Sequence, residues 1–256
     1  MSGNLEEVPL LGGNSGTKVV RVGDTVRRPA TPYSANVDAL LQHFVNEGIV
    51  EVPTPLGYDE KGRQALSFVE GHISDDPCDL DENRLIELGH LIRRLHDAAA
   101  TFTPPTDAKW NVLIAPDGED IICHHDLAPW NLVRTPTQLT FIDWEGAGPG
   151  SRLWDLAYAA HGFVPFSPEA FLSDDIAGQR LLALVDGYGL SEDERARLVN
   201  ILGPRVRSVY DNLRNCHEKG IEPWSRHWEE GHGAIWLAHA IYTESKRDVW
   251  ATALLR

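Results

Sequence analysis

The sequence predicts an α+β protein of two lobes: a small antiparallel sheet over about residues 1–70 and a larger, mainly helical region over 71–256. Three observations carry this. Before residue 70 the apolar side chains come in short runs divided by glycine turns. Beyond it they recur every three or four residues over long stretches, the pattern of amphipathic helices. Between Ile121 and Glu145, IICHHDLAPWNLVRTPTQLTFIDWE, further short apolar runs enclose a polar loop. Strands gathered at one end of a chain and helices at the other define an α+β layering.

Residues 1–9 read as a loose tail. Leu10 to Gly16 is glycine-rich. Lys18–Val22 and Thr25–Arg28 read as strands, with Gly23–Asp24 as a two-residue hairpin. Alternation sends Arg27 and Arg28 to opposite faces. Ser34 to Glu47 is a helix with Ser34 as its cap; Val37, Leu40, Leu41, Phe44 and Val45 form its apolar stripe. Val52-Pro-Thr-Pro is a stiff loop. Leu56–Tyr58 and Gln64–Val69 are two more strands, joined by the turn Asp59–Gly62.

The helical region opens with Asp79 to Ala100, capped by Asp81, whose Leu85, Leu88, Ile92 and Leu95 share one face. His96 lies one residue past that stripe and reads as a buried, hydrogen-bonded structural histidine. Thr101 to Lys109 is a connector. In the central stretch the pattern gives a strand, a loop, a second strand and a hairpin into a third strand that ends at Asp143. Gly146 to Ser151 is a mobile or tightly turned loop, and Arg152 to His161 is a helix. Ile176–Tyr188 follows as a helix, and Ser191 opens another with a capping-box pattern, running to Leu202. Pro204–Glu218 and Trp228–Trp250 supply the last segments.

The net charge of −15 argues against a nucleic-acid binder, which needs a basic face. It would suit a cationic partner and equally serves solubility. Cys78, Cys123 and Cys216 are odd in number and far apart, as expected of reduced thiols in a cytoplasmic protein. The N-terminus is acidic and is not a signal peptide. No apolar run approaches the roughly 18 residues of a spanning helix, so no membrane is expected.

Asp126, Asn131 and Asp143 are two acids and an amide placed in a loop and at a strand end. Hard cations such as Mg²⁺ take oxygen ligands of this kind. A zinc site built on His124 and His125 is disfavoured. Neighbouring strand residues point apart, and no third nitrogen or sulfur ligand is placed by the sequence.

HHDLAPWN (124–131) resembles the catalytic loop of the aminoglycoside phosphotransferase family, usually H-G-D-x-x-x-x-N, and FIDWE (141–145) resembles its metal-binding strand end. That family shares the protein-kinase-like fold, whose corresponding motifs are H-R-D-x-x-x-x-N and D-F-G. The resemblance implies a nucleotide-binding lobe at 1–70 and a catalytic and acceptor-binding lobe at 71–256. It implies Asp126 as the residue that orients the substrate hydroxyl, and Asn131 and Asp143 as ligands of the Mg²⁺ that bridges phosphate oxygens. LSFVEG (66–71) is similar to the hinge between kinase lobes. This places adenine-binding groups at the Ser67 carbonyl and the Val69 N–H, with Leu66 behind them. A glycine-rich turn feeding a hairpin is how such folds cover nucleotide phosphates.

The chain departs from the pattern in three places. No lysine stands on the strand Thr25–Arg28. The basic residue two before a proline is Arg27, and the resemblance favours it as the phosphate-holding cation. The helix Ser34–Glu47 has no central glutamate; Asp38 is its nearest acid. His125 occupies a position where the family has glycine, so it either pays the strain of a positive φ or faces the substrate. WDLAYAA (154–160) matches the family's next motif, in which Asp155 braces the catalytic loop.

The function implied is transfer of the γ-phosphate of ATP or GTP to a hydroxyl of a small molecule, in which a cationic acceptor would suit the charge; antibiotic resistance is an analogy from the family. The alternative is a catalytically weak or inactive binding protein on the same scaffold, of bacteriocin-immunity type. A protein kinase is disfavoured, because no A-P-E follows Asp143.

Overall fold

The computed structural model describes residues 6–10, 19–74, 76–170 and 172–255. Nearly all of the glycine-rich turn, and Lys18, lie outside these residues.

An antiparallel five-stranded sheet forms the small lobe: β1 (Glu7–Pro9), β2 (Val20–Val22), β3 (Thr25–Arg28), β4 (Pro55–Tyr58) and β5 (Gln64–Ser67), in the order β1-β2-β3-β5-β4. The hairpin turns at Gly23, whose φ is 59°, and pairs Val22 with Thr25. β1 falls within the segment expected to be a loose tail. It pairs Glu7 with Val22, and the Glu7 carboxylate takes Lys61 Nζ at 2.8 Å and Arg63 Nη2 at 2.9 Å. Charged side chains that find partners across the sheet edge thus recruit a stretch that carries little apolar signal.

Helix α1 (Ser34–Asn46) packs Val37, Leu40, Leu41 and Phe44 into the core, as its stripe requires. Ser34 does not cap it. Tyr33 holds the cap position without a side-chain bond, and the buried Ser34 Oγ accepts the Thr31 N–H at 2.9 Å. Helix α2 (Glu82–Ala99) is capped by Asp81, which accepts the Arg84 N–H at 2.9 Å. It crosses α4 (Asp174–Tyr188) at close range. A Cβ on Gly89 would meet Leu184 O at 2.3 Å, and one on Gly187 would meet Ile86 O at 2.2 Å. Only glycine permits that approach.

Between them lie two small ladders. Strand β6 (Ile121–Cys123) pairs with β9 (Gly148–Gly150), and β7 (Leu132–Arg134) pairs with β8 (Leu139–Phe141). The expected loop after Asp143 is therefore partly a strand. A Cβ on Gly150 would meet Cys123 Sγ at 2.9 Å, so glycine there admits the close pairing.

Helix α3 (Arg152–Phe163) follows. Helix α5 runs unbroken over Glu192–Glu218 with Pro204 inside it, where the sequence predicts a break. Proline costs an isolated helix roughly 3 kcal/mol. The packing of α5 against α3 and α7 (His232–Ser245) outweighs that local preference. The capping box at Ser191 and Glu194 forms as expected. The last segments are α6 (Trp224–Glu229), α7 and α8 (Arg247–Leu254), divided at Gly231 and Lys246. No helix among the described residues is long and apolar enough to cross a membrane.

Candidate active site

The loop after β6 is held from below by one buried carboxylate. Asp155 on α3 accepts the backbone N–H groups of His124 at 3.1 Å and His125 at 2.9 Å, and His96 Nε2 lies at 3.2 Å. His96 also bonds the Tyr188 hydroxyl at 2.9 Å, so both its ring nitrogens are engaged. Burial alone would raise the Asp155 carboxyl. The hydrogen bond from His96 and the neighbouring imidazoles outweigh that and hold it well below the usual carboxylate range. His96, Cys123 and Asp155 converge, but the Asp155 oxygens and both His96 nitrogens are already spent on hydrogen bonds. The bracing role expected of Asp155 and the structural role expected of His96 are what the structure shows.

His125 takes the strained option, with φ 67°. A non-glycine residue in this region costs on the order of 1–2 kcal/mol. Three contacts fix it there. Asp155 takes its N–H, its Nε2 lies 3.0 Å from Pro149 O, and Arg205 Nη2 donates to its carbonyl at 3.2 Å. Its ring packs against β9, and burial lowers its pKa. His124 bonds Ile142 O through Nε2 at 3.0 Å and packs against Trp144, 4.5 Å between ring centres.

Above this base Asn131 is tied to Asp126 and, through the backbone, to the residue before Asp143. Asn131 Nδ2 donates to Asp126 Oδ2 at 2.7 Å and to Asp126 O at 3.0 Å. Ile142 N–H donates to Asn131 O at 2.9 Å, which brings Asp143 alongside. Asp143 has φ 59°, and its side chain is half-exposed. The bend lifts the carboxylate out of β8 towards the small lobe, where Arg28 Nη1 lies 3.2 Å from its Oδ1. Glu145 stands nearby; burial pushes its carboxyl up, and Arg28 partly offsets this.

Arg27, the favoured phosphate-holding cation, lies on the other face of β3. Its Nε is 3.9 Å from Asp59 Oδ2. The buried Arg28 instead faces the cleft. Alternation fixes only that the two point apart; the packing of the sheet over α1 decides which one looks inward.

At the expected hinge, β5 ends at Ser67 rather than Val69. Phe68 N–H continues the ladder to Asp24 O at 2.9 Å. Thr54 N–H donates to the Ser67 hydroxyl at 2.8 Å. Val69 follows at the end of the sheet, and Leu66 is buried.

Residues to which the sequence assigned no role complete the surroundings. Tyr158, buried on α3, hydrogen-bonds Asp126; burial first, then that carboxylate, push its phenol well up. Arg205 on α5, also fully buried, sits 4.2 Å from the Tyr158 ring centre. Trp130 Nε1 lies 3.3 Å from Asp126 Oδ2. Nothing in the spacing marks Arg205, because it reaches the loop from 80 residues away.

A small antiparallel sheet joined to a mainly helical lobe, with an acid and an amide in the loop after β6 and a second acid at a strand end, is the arrangement of the kinase-like fold. The sequence matches the model of the phosphotransferase enzyme family over residues 2–116 and 106–198, and the chain belongs to that family. It is similar to the trifolitoxin immunity protein of Rhizobium leguminosarum bv. trifolii, with 33% identity over 91% of this chain and 95% of that one. Among solved structures, an amicoumacin kinase in complex with AMP-PNP and Ca²⁺ superposes with a TM-score of 0.68 at 12% identity, covering 94% of this chain and 88% of that one. A microcompartment-associated aminopropanol kinase gives 0.64 at 16%, covering 99% and 94%. A choline/ethanolamine kinase family protein from Mesorhizobium loti gives 0.59 at 18%, covering 99% and 93%.

Proposed function

We propose that the chain is a small-molecule kinase that moves the γ-phosphate of ATP or GTP to an alcohol group. The observation that carries this is the junction of Asp126, Asn131 and Asp143 beneath Arg28. Phosphoryl transfer asks a protein for positioning and charge neutralisation. Asp126 orients the acceptor hydroxyl and takes its proton. Trp130 and Asn131 hold its carboxylate in place.

The donor set fits Mg²⁺. Asn131 spends its amide nitrogen on Asp126, which leaves its oxygen for a cation, and Asp143 offers a half-exposed carboxylate. Mg²⁺ favours such oxygen donors and completes its shell with phosphate and water. Bound there, it would neutralise charge on the transferring phosphoryl group. Arg28, rather than Arg27, meets the phosphates, and the Ser67 carbonyl and Val69 N–H meet the base. Residues 1–70 then serve as the nucleotide lobe and 71–256 as the catalytic and acceptor lobe. The acidic balance suits a small hydroxylated acceptor carrying positive charge. The three free thiols suit a reducing, cytoplasmic setting.

The similarity to an immunity protein favours a second reading, an inactive or weakly active binding protein that neutralises a toxin. The two separate experimentally. The parent should show acceptor-dependent release of ADP or GDP with Mg²⁺ across a panel of amino alcohols, aminocyclitol antibiotics and antibacterial peptides. In a sensitive host, the parent should protect and Asp126→Ala should not. Equal protection by both, with no acceptor-dependent release, would support the binding protein instead.

A further inference from the structure

We propose that Gln64 is a positioning residue that ties α1 to the phosphate-facing Arg28 without consuming the charge of the arginine. The inference rests on the nucleotide reading of the same cleft. Gln64 is completely buried, opposite Arg28 on β3 and opposite Tyr58 on β4. Its Oε1 accepts Arg28 Nε at 2.6 Å, and its Nε2 donates to Asp38 Oδ1 at 2.5 Å. Arg28 then reaches Asp143 through Nη1 at 3.2 Å. A continuous polar line therefore runs from helix α1 through the sheet to the strand end of the other lobe.

The chemistry fixes the direction of the amide. A guanidinium only donates, so the Gln64 oxygen must face Arg28, and its nitrogen must face the acceptor Asp38. Asp38 is anchored in turn by Tyr58, which hydrogen-bonds it, and by the buried stripe of α1. Burial pushes the Asp38 carboxyl up, while Gln64, Tyr58 and Arg28 pull it down. A carboxylate at position 64 would neutralise Arg28 directly and repel Asp38. The neutral amide orients the guanidinium and leaves its positive charge to act on Asp143 and on phosphate oxygens. In protein kinases a helix glutamate pairs directly with the strand cation; α1 has no central glutamate, and here Asp38 is linked to Arg28 in two steps through Gln64.

The test compares two ligands on the full chain by calorimetry: Mg²⁺–AMP-PNP, which reaches Arg28, and AMP, which has no β- or γ-phosphate. Gln64→Leu and Gln64→Glu should each weaken Mg²⁺–AMP-PNP about tenfold, as for loss of one charge-assisted hydrogen bond, and leave AMP within about twofold. Asp38→Ala removes the acceptor of Gln64 Nε2 and should show the same split; it stands in if a Gln64 variant does not fold. Equal loss of both ligands, or no loss of either, overturns the positioning role. A parent chain that binds neither ligand overturns the nucleotide reading, and the role of Gln64 with it.

Discussion

Replacing Asp126 with alanine is expected to lower acceptor phosphorylation by about 10²- to 10⁴-fold, the range of a lost general base. The melting temperature and the affinity for Mg²⁺–nucleotide should stay near those of the parent. Asp126 is only part-buried and sits on the loop's outer side, where it accepts from Trp130 and Asn131 through one oxygen. Removing it frees three side-chain donors, from Trp130, Asn131 and Tyr158, at the part-buried edge of the loop and opens no large apolar cavity. Steady-state kinetics beside a melting curve separates the roles. Substantial retained turnover sinks the assignment of Asp126, and a collapsed melting curve makes it a structural residue.

Asp155→Ala should have the opposite profile. Breaking a buried charged network by removing one partner costs about 3–5 kcal/mol. Here it strands two backbone N–H groups and His96 in a dry interior. At roughly 2–4 °C per kcal/mol for a chain of this size, the melting point should fall by about 10 °C. Activity loss would follow unfolding rather than precede it. The pH dependence has a definite sign. The folded carboxyl is held below its ordinary value of 3.8, so its stabilisation is fully present above that value and is lost as pH falls through the folded pKa. In Asp155→Asn, acid unfolding should lose that component. Denaturant melts of parent and variant at pH 7 and pH 3 measure it; an unchanged difference between the two pH values contradicts the role.

The central segment was the most legible part of the chain, because its chemistry is local. Asp126, Asn131 and Asp143 lie within one loop-and-hairpin unit, and their order along the chain already sets their proximity. His96 was legible because an imidazole beside a dense apolar stripe needs partners when buried; Asp155 was legible only through the resemblance of WDLAYAA to the family's motif. The small lobe was less legible. Arg27 and Arg28 differ only in the face they take, and that depends on tertiary packing over α1. Gln64 is an ordinary strand residue until the register sets it between Asp38 and Arg28. Ser34 looks like a helix cap, yet it is buried one position late. Pro204 reads as a break, yet packing on both sides of α5 carries the helix through it. His125 was readable as a dilemma, and the contacts from Asp155, β9 and Arg205 resolve it.

The central claim is that Asn131 and Asp143 form a metal-dependent nucleotide site. Its most direct test is the affinity of the parent and of Asp143→Ala for AMP-PNP and its GTP analogue, measured with and without Mg²⁺. Binding by the parent should tighten sharply when Mg²⁺ is added, and Asp143→Ala should lose the increment while keeping its fold. Identical Mg²⁺ titrations for the two proteins, or no nucleotide binding by the parent at millimolar concentration, would contradict it.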